Sequence, residues 1–338
     1  MNYRDLMKAI SRSIIKKISL IIVLLLVVTI QADATKLFHI ILAQNSFDPS
    51  SGVTMIANSK GYFTKEGLDV QVVNLTAGKL ALNAVIGGAA DFGTVAETPL
   101  VHAGLSGIPV VIIATTETSY KDVRLLAKSS IHHFHDLTGK KIATAIGTNA
   151  EYFLTAMLKH HGMTPSEIHL VNLSPQNMPI ALETGDIDAY AVWEPFIYRG
   201  QRLLGTKAKV FSSGHIYLNY FTITALRGYV KNHPVVVKQF IRALIDARKF
   251  IQKHPHQSEA IISRKIGMKI NSFNYIWPYF HYRVALDYGL VQLLQKEGKW
   301  AIRSGTAPST ANVEALDKMI ITGPLHLIDP RLVTGFHH

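Results

Sequence analysis

The sequence predicts an α/β protein of two similar lobes with a helical C-terminal extension, and three observations carry that prediction. From Lys36 to about residue 230, short apolar runs alternate with segments of helical spacing, the pattern of parallel βαβ units. The stretch Gly88-Ala-Ala-Asp-Phe-Gly-Thr-Val-Ala-Glu97 recurs 97 residues later as Gly185-Asp-Ile-Asp-Ala-Tyr-Ala-Val-Trp-Glu194, sharing Gly, Asp, Val and Glu in register. Beyond about residue 230 the alternation stops, and helical segments follow with no convincing strand.

Taken in order, the strand-like runs are Phe38–Ala43, Val70–Leu75, Asp91–Val95, Val110–Ala114, Val123–Ala127, Lys141–Ala145, Ile168–Leu173, Ala189–Val192 and Phe221–Ala225. Helical spacing lies between them at Val53–Lys60, Leu80–Ile86, Tyr152–His160 and Met178–Glu183. His233-Pro234 opens a long helix to Lys253, with proline at a position where its missing N–H costs nothing. Each copy of the repeat thus reads strand, helix, Gly-x-x-Asp turn, strand, then Glu at the strand's carboxyl end. Gly-x-x-Asp turns are common in α/β chains, so the repeat gains its weight from the matching elements around it. Ligands of open α/β sheets bind outside the carboxyl ends of strands. Glu97 and Glu194, one per lobe, are therefore expected to face each other across a cleft.

The chain of 338 residues can bury two sizeable cores. It has no cysteine, which excludes disulfides, thiolate zinc sites, a cysteine nucleophile and a lipidated cysteine. Residues 1–34 read as a secretory leader: Arg4, Lys8, Arg12, Lys16 and Lys17 precede the apolar run Ile18–Ile30, and Ala32-Asp33-Ala34 follows in the small-x-small pattern. That run of 13 residues falls short of the roughly 20 a membrane span needs. The competing reading is an uncleaved N-terminal anchor. The formal charge is +12, of which the leader carries +3, leaving +9. Lys and Arg are scattered without blocks, so no nucleic-acid stripe is expected.

Candidate functional residues lie where strands end. Ala145-Ile146-Gly147-Thr148-Asn149-Ala150 joins a strand to a helix, and such an N-terminus offers N–H groups to an anion. An ordinary N-cap is the competing reading. Gln44-Asn45-Ser46-Phe47 and Thr115-Thr116-Glu117 occupy other strand ends. Trp193-Glu194-Pro195 places a ring able to stack beside a carboxylate able to accept a hydrogen bond; a core tryptophan is the alternative. His132, His133 and His135 fall in an expected loop and are adjacent, which suits one tetrahedral metal poorly, so no metal site is expected. His160-His161 and His337-His338 read as solvated ends. The signatures G-x-S-x-G, H-E-x-x-H and G-x-G-x-x-G are absent, and Thr76-Ala-Gly-Lys79 lacks both the first glycine and the hydroxyl of a P-loop.

Several ordered stretches together resemble the nitrate/sulfonate/taurine group of periplasmic solute-binding proteins, which also contains binders of thiamine-precursor pyrimidines. They are Gly61-Tyr-Phe-Thr-Lys-Glu-Gly-Leu68, Gly88-Ala-Ala-Asp-Phe-Gly93, Glu97-Thr-Pro99, Asp136-Leu-Thr-Gly-Lys-Lys-Ile142, Gly147-Thr-Asn149 and Trp193-Glu-Pro-Phe196. The resemblance runs from about Lys36 to Pro255. It implies a two-lobed type II periplasmic-binding-protein fold, with lobe 1 formed by residues 35–121 and 222–338 and lobe 2 by 122–221. The crossovers are expected near Thr118–Arg124 and Ser213–Thr222. By the same resemblance Gln44, Ser46, Gly147, Thr148 and Asn149 hold the ligand's oxyanion head. The Trp-Asp/Glu-Pro stretch maps onto Trp193 and Glu194, and a second family stretch onto Thr94 and Glu97. Thr98 and Thr116 complete the expected ligand-binding set.

Two departures stand out. Ala96 replaces a common glycine, and two carboxylates suit a bare anion such as nitrate poorly. They fit a ligand with a cationic or donor-bearing part, such as an aminosulfonate or a pyrimidine; the alternative is that both glutamates are lobe-closing partners of Lys or Arg. The implied function is the capture component of an ABC importer, without catalysis or cofactor, binding a small organic anion or zwitterion of the sulfonate/taurine/nitrate class. The alternative solute is a thiamine-precursor pyrimidine. Its partners would be that solute and an inner-membrane permease, with a monomeric, periplasmic protein and no nucleic acid. A pyrimidine-synthase-like enzyme is disfavoured by the leader and the missing cysteine-rich motif. A surface adhesin would leave the paired strand-end motifs unexplained.

Overall fold

Among the described residues, two sheets are built from twelve strands, most of them joined through helices. The computed structural model describes residues 2–4, 7, 37–211 and 214–336. The leader expected over residues 1–34 lies outside the described residues apart from 2–4 and 7, and His337-His338 lies outside them altogether. From Phe38 onward the chain forms a unit of its own.

The strands are β1 (Phe38–Asn45), β2 (Leu68–Leu75), β3 (Phe92–Ala96), β4 (Val110–Ser119), β5 (Arg124–Lys128), β6 (Lys141–Thr144), β7 (His169–Asn172), β8 (Ala189–Val192), β9 (Ala208–Phe211), β10 (Asn219–Leu226), β11 (His281–Asp287) and β12 (Val333–Thr334). The helices that matter below are α1 (Gly52–Ser59), α2 (Gly78–Ile86), α3 (Glu97–Leu105), α4 (Asn149–His160), α5 (Met178–Thr184), α6 (Phe196–Leu204), α7 (Pro234–Lys253) and α8 (Tyr288–Arg303). The larger sheet has the order β12-β11-β4-β10-β3-β1-β2, the smaller β7-β6-β8-β5-β9.

The two sheets share a plan. In the larger, β2, β1 and β3 run parallel and β10 pairs antiparallel with both β3 and β4. In the smaller, β7, β6 and β8 run parallel and β5 pairs antiparallel with both β8 and β9. The strand that breaks each parallel run is the one that enters from the other half of the chain. The repeated segments occupy equivalent places: β2-α2-β3 leads to Glu97, and β7-α5-β8 leads to Glu194. The chain leaves the large sheet after Ser119, enters the small one at Arg124, and returns between Phe211 and Asn219.

Burial follows position. The inner strands β3, β4 and β8 are buried along their whole length, as strands covered on both faces must be, whereas the edge strand β2 alternates. Phe240 of α7 stacks on both Phe63, with centroids 5.0 Å apart, and Phe92 of β3, at 4.2 Å, and so seats α7 against the large sheet. The expectation of no strand beyond residue 230 is overturned by β11 and β12. In His281–Asp287 only Val284 and Leu286 are deeply buried, and the charged Arg283 just before them hides the run from a search for apolar stretches. The edge strand β9 was missed for a similar reason, being only partly buried. Among the described residues no helix is long and apolar enough to cross a membrane.

Candidate functional site

The carboxyl ends of β1, β3 and β8 and the N-terminus of α4 converge on one narrow cavity between the sheets. Asn45, Asp48, Lys79, Thr148, Asn149, Trp193 and Phe221 are among its walls, and about 10 Å³ within it is open to a water-sized sphere, room for one such molecule. The two lobes already touch here. Asn149 Nδ2 donates to Asn219 Oδ1 at 2.8 Å, and Lys79 Nζ donates to the Ile146 carbonyl at 3.1 Å. Gly147 is required beside that contact: its φ is +76°, and a Cβ there would lie 2.5 Å from Lys79 Nζ.

Two buried polar atoms in the cavity lining have no hydrogen-bond partner among the described residues, Trp193 Nε1 and Asn45 Oδ1. Such groups are rare in native interiors because each forfeits its hydration. One is a donor and the other an acceptor.

Around the cavity lies a concentration of acidic side chains that the sequence did not disclose. Asp48, Glu117, Asp122 and Glu194 are all buried, and Arg124 is the buried cation among them. Asp48 caps the short helix at Pro49–Ser51: Oδ1 accepts from Ser50 N at 2.8 Å, and Oδ2 accepts from Asn45 Nδ2 at 3.0 Å. Burial pushes its carboxyl up to about 7, against the lowering effect of the Ser50 hydrogen bonds. Burial, then the Asp48 charge, holds Glu117 well above the usual carboxylate range; one of its oxygens accepts from Asn219 Nδ2 at 3.3 Å. Asp122 is raised by burial and by the charges of Asp48, Glu117 and Glu194. Glu194 pairs with Arg124 and accepts from Tyr198 N at 3.0 Å, while the guanidinium lies 4.9 Å over the Tyr279 ring.

A second cluster adjoins the first. Glu97 accepts from the Tyr217 hydroxyl and, at 3.0 Å, from Tyr220 N, and the buried Glu297 carboxyl sits beside it. Burial raises both acids, and Glu97 adds to the upward push on Glu297. Asn219 joins the clusters, donating to Glu117 and accepting from Tyr217 at 3.2 Å and from Asn149.

The residues expected from sequence divide accordingly. Thr148, Asn149 and Trp193 line the cavity. Thr148 caps α4 with its hydroxyl, and the N–H groups of Thr148 and Asn149 have no partner among the described residues. The Gly147 N–H is taken by Glu151 at 2.7 Å. Gln44 and Ser46 face away from the cavity: Gln44 bonds Ser46 and Thr54, and Ser46 donates to Asn74 at 2.5 Å. Strand alternation explains this, since Asn45 points oppositely to its neighbours. Thr116 donates weakly to the Phe221 carbonyl at 3.3 Å, Thr98 lies beside Glu297, and Thr94 accepts from Asn45 N at 2.9 Å. Glu97 and Glu194 do not share partners. Each is held inside its own cluster, and the Arg124–Glu194 pair joins β5 to the end of β8 within one sheet. Sequence reasoning missed Asn45, Asp48, Lys79, Glu117 as an acid, Asp122 and Asn219. Among the described residues no group of His, Cys, Asp or Glu is arranged to hold a metal. His133 and Asp136 cap the short helix Phe134–Leu137.

The family described as NMT1/THI5 like matches residues 48–258, more than half of the chain, and the chain belongs to it. The taurine-binding periplasmic protein of Escherichia coli K12 is 27% identical over 208 residues, which cover 60% of this chain and 64% of that protein. The chain thus spans a little under two thirds of that relative's length. The alkanesulfonate-binding protein SsuA from Xanthomonas axonopodis pv. citri, solved bound to MOPS, superposes with a TM-score of 0.73 at 19% identity, covering 85% of this chain and 98% of that one. The desulfurization enzyme DSZB superposes with a TM-score of 0.62 at 14% identity, covering 87% and 99%. The fold is that of the periplasmic binding proteins, and it is shared by binders and by an enzyme.

Proposed function

We propose that this NMT1/THI5-like chain is the solute-capture component of an ABC importer, and that its solute carries a cationic or hydrogen-bond-donating group beside any anionic one. The single observation that carries the reading is the cavity lining: unpartnered Trp193 Nε1 and Asn45 Oδ1 beside the Asp48 carboxyl, at strand ends contributed by both lobes. A bare anion would meet four buried acids and one engaged arginine. A zwitterion meets a donor-rich end at Thr148, Asn149 and Lys79 and an acceptor-rich end at Asn45 and Asp48. Taurine, the solute in a relative's name, is such a zwitterion. An aminopyrimidine is favoured by a different observation: Trp193 and Phe221 offer flat apolar walls, and Asn45 and Asp48 offer paired acceptors to its N–H edge.

Lobe 1 is read as residues 35–121 and 222–338 and lobe 2 as 122–221, closing on the solute by a hinge at the two crossovers. The reading is non-catalytic, and it places the protein as a monomer in the periplasm, exported by the N-terminal segment and delivering to an inner-membrane permease. Differential affinity for the closed arrangement drives closure. Native mass spectrometry of the purified protein, followed by calorimetry with taurine, alkanesulfonates, nitrate and an aminopyrimidine, tests it. Binding of taurine or the aminopyrimidine that weakens in Trp193→Phe supports the reading. Preference for nitrate, binding untouched by that substitution, or no binding by any of them overturns it.

A further inference from the structure

A separate cavity lies away from the cleft, between the outer turns of α4 and α8. Its volume is about 320 Å³, within the range of small-molecule sites. On α8, Lys296, Trp300 and Arg303 fall at i, i+4 and i+7 and so share a face; on α4, Tyr152, Thr155 and Lys159 fall at i, i+3 and i+7 and share one too. The two faces look at each other across the cavity, with His160 at its edge.

Its chemistry differs from that of the cleft. Lys159, Lys296 and Arg303 are exposed and enter none of the ion pairs among the described residues. The neighbouring Glu297 is turned away from them: it is buried against Glu97, and burial raises its carboxyl. Lys159, His160 and Arg303 occupy last helical turns, where a cation is ordinarily welcome, but Lys296 does not. The cavity also has an aromatic wall. Trp300 is 7% exposed and meets Tyr152 edge-on at 5.3 Å, and its buried indole Nε1 has no hydrogen-bond partner among the described residues.

We propose that this cavity is a second binding site, for a small organic anion with a phosphate or sulfonate head on a flat apolar body. Lys159, Lys296 and Arg303 hold the head, and Trp300 and Tyr152 hold the body. Because α4 packs on the small sheet and α8 against α3 and β11 of the other lobe, an occupant bridges the lobes and favours their approach. This site shares no lining residue with the cleft described above, so it stands or falls independently of the cleft's solute.

The test titrates the purified full chain with phenyl phosphate by calorimetry, repeated in Lys296→Gln/Arg303→Gln, in Trp300→Phe and in the cleft variant Trp193→Phe. Both cations are exposed, so the double variant should fold, which circular dichroism checks. The expected result is saturable binding that weakens at least about tenfold in the double variant and falls with added salt, because charge-assisted contacts are lost or screened. Trp300→Phe should weaken it less, and Trp193→Phe should leave it unchanged. Equal affinity in the double variant, loss in Trp193→Phe, or no binding overturns the proposal. Inorganic phosphate binding as tightly as phenyl phosphate removes the role of the aromatic wall and overturns it in this form. Sedimentation with phosphatidylglycerol vesicles, without binding of phenyl phosphate, would assign the patch to a lipid surface instead.

Discussion

Replacing Asp48 by Asn should stabilise the protein at neutral and alkaline pH and leave it nearly unchanged in acid. In the unfolded chain the carboxyl titrates near 3.8, and in the folded protein near 7. Below the first value it is protonated in both states and contributes no pH dependence. As pH rises through the window, the unfolded chain gives up the proton while the folded one keeps it, so stability falls by up to about 1.4 kcal/mol per pH unit. Above about 7 both states are ionised and the slope vanishes. The accumulated cost is about 4 kcal/mol, a large share of the roughly 5–15 kcal/mol that holds a domain together. The amide should fit. Its oxygen can still accept from Ser50 N, and the Asn45 side chain can turn its unpartnered Oδ1 toward the new NH2. Urea denaturation of both proteins at pH 5, 7 and 8 measures the difference curve, which isolates this group from other titrations. A difference that does not grow between pH 5 and 8, or an Asn variant less stable at pH 8, would refute the reasoning.

Other outcomes follow from the same geometry. Trp193→Phe keeps a ring but removes the unpartnered N–H; solute affinity should drop about tenfold by calorimetry while the free protein becomes no less stable. Arg124→Met leaves Glu194 buried without its cation and should cost about 3–5 kcal/mol in urea denaturation, most of it recovered on adding Glu194→Gln. A single variant as stable as the parent would show that the pair is not what holds that corner. Asn149→Ala breaks the lobe-crossing bond to Asn219, so affinity should fall several-fold while stability changes by about 1 kcal/mol or less. For a solute with a cationic group, affinity should rise from pH 5 to 8, because the solute must displace the Asp48 proton below about 7. An affinity that falls over that range would point to a solute held by its negative end alone.

Much of the fold was legible because it rests on patterns that short windows carry. All nine strands expected from apolar runs are present, Ala189–Val192 with the same ends, and Pro234–Lys253 runs as read. The repeat at Gly88 and Gly185 marks equivalent strands of two sheets with one topology. What failed were strands whose burial is partial. His281–Asp287 borrows its buried environment from β4, a partner more than 160 residues away, and nothing local announces that pairing. Of the residues proposed for the site, Thr148, Asn149 and Trp193 line the cavity, and they are legible because helix starts and strand ends are local features. Asn45 and not Gln44 or Ser46 lines the cavity, because a motif match does not respect the alternation of a strand, in which one residue's shift reverses the face. Asp48 carried one usable sign, its place before Pro49 as a cap. Glu117, Asp122 and Asn219 carried none, since only the crossing of two lobes gathers them.

The mismatch between global and local charge is the part of the molecule that composition hides. With a formal charge of +12, the whole chain invites the reading that it attracts acidic partners. The basic residues, however, are largely on the surface, where solvent screens them, whereas the acids of the cleft are buried and screened little. What a solute meets inside the cleft is therefore set by Asp48, Glu117, Asp122 and Glu194 and not by the sum over the chain. The outer cavity at Lys159, Lys296 and Arg303 has the opposite sign, and Glu297, one residue from Lys296, faces inward to Glu97. One protein thus offers two environments of opposite polarity on one helix, α4, whose Asn149 lines the cleft and whose Tyr152, Thr155 and Lys159 line the outer cavity. Swapping charges on one should change the class of compound bound there while leaving the other's class intact, because the two cavities share no lining residue.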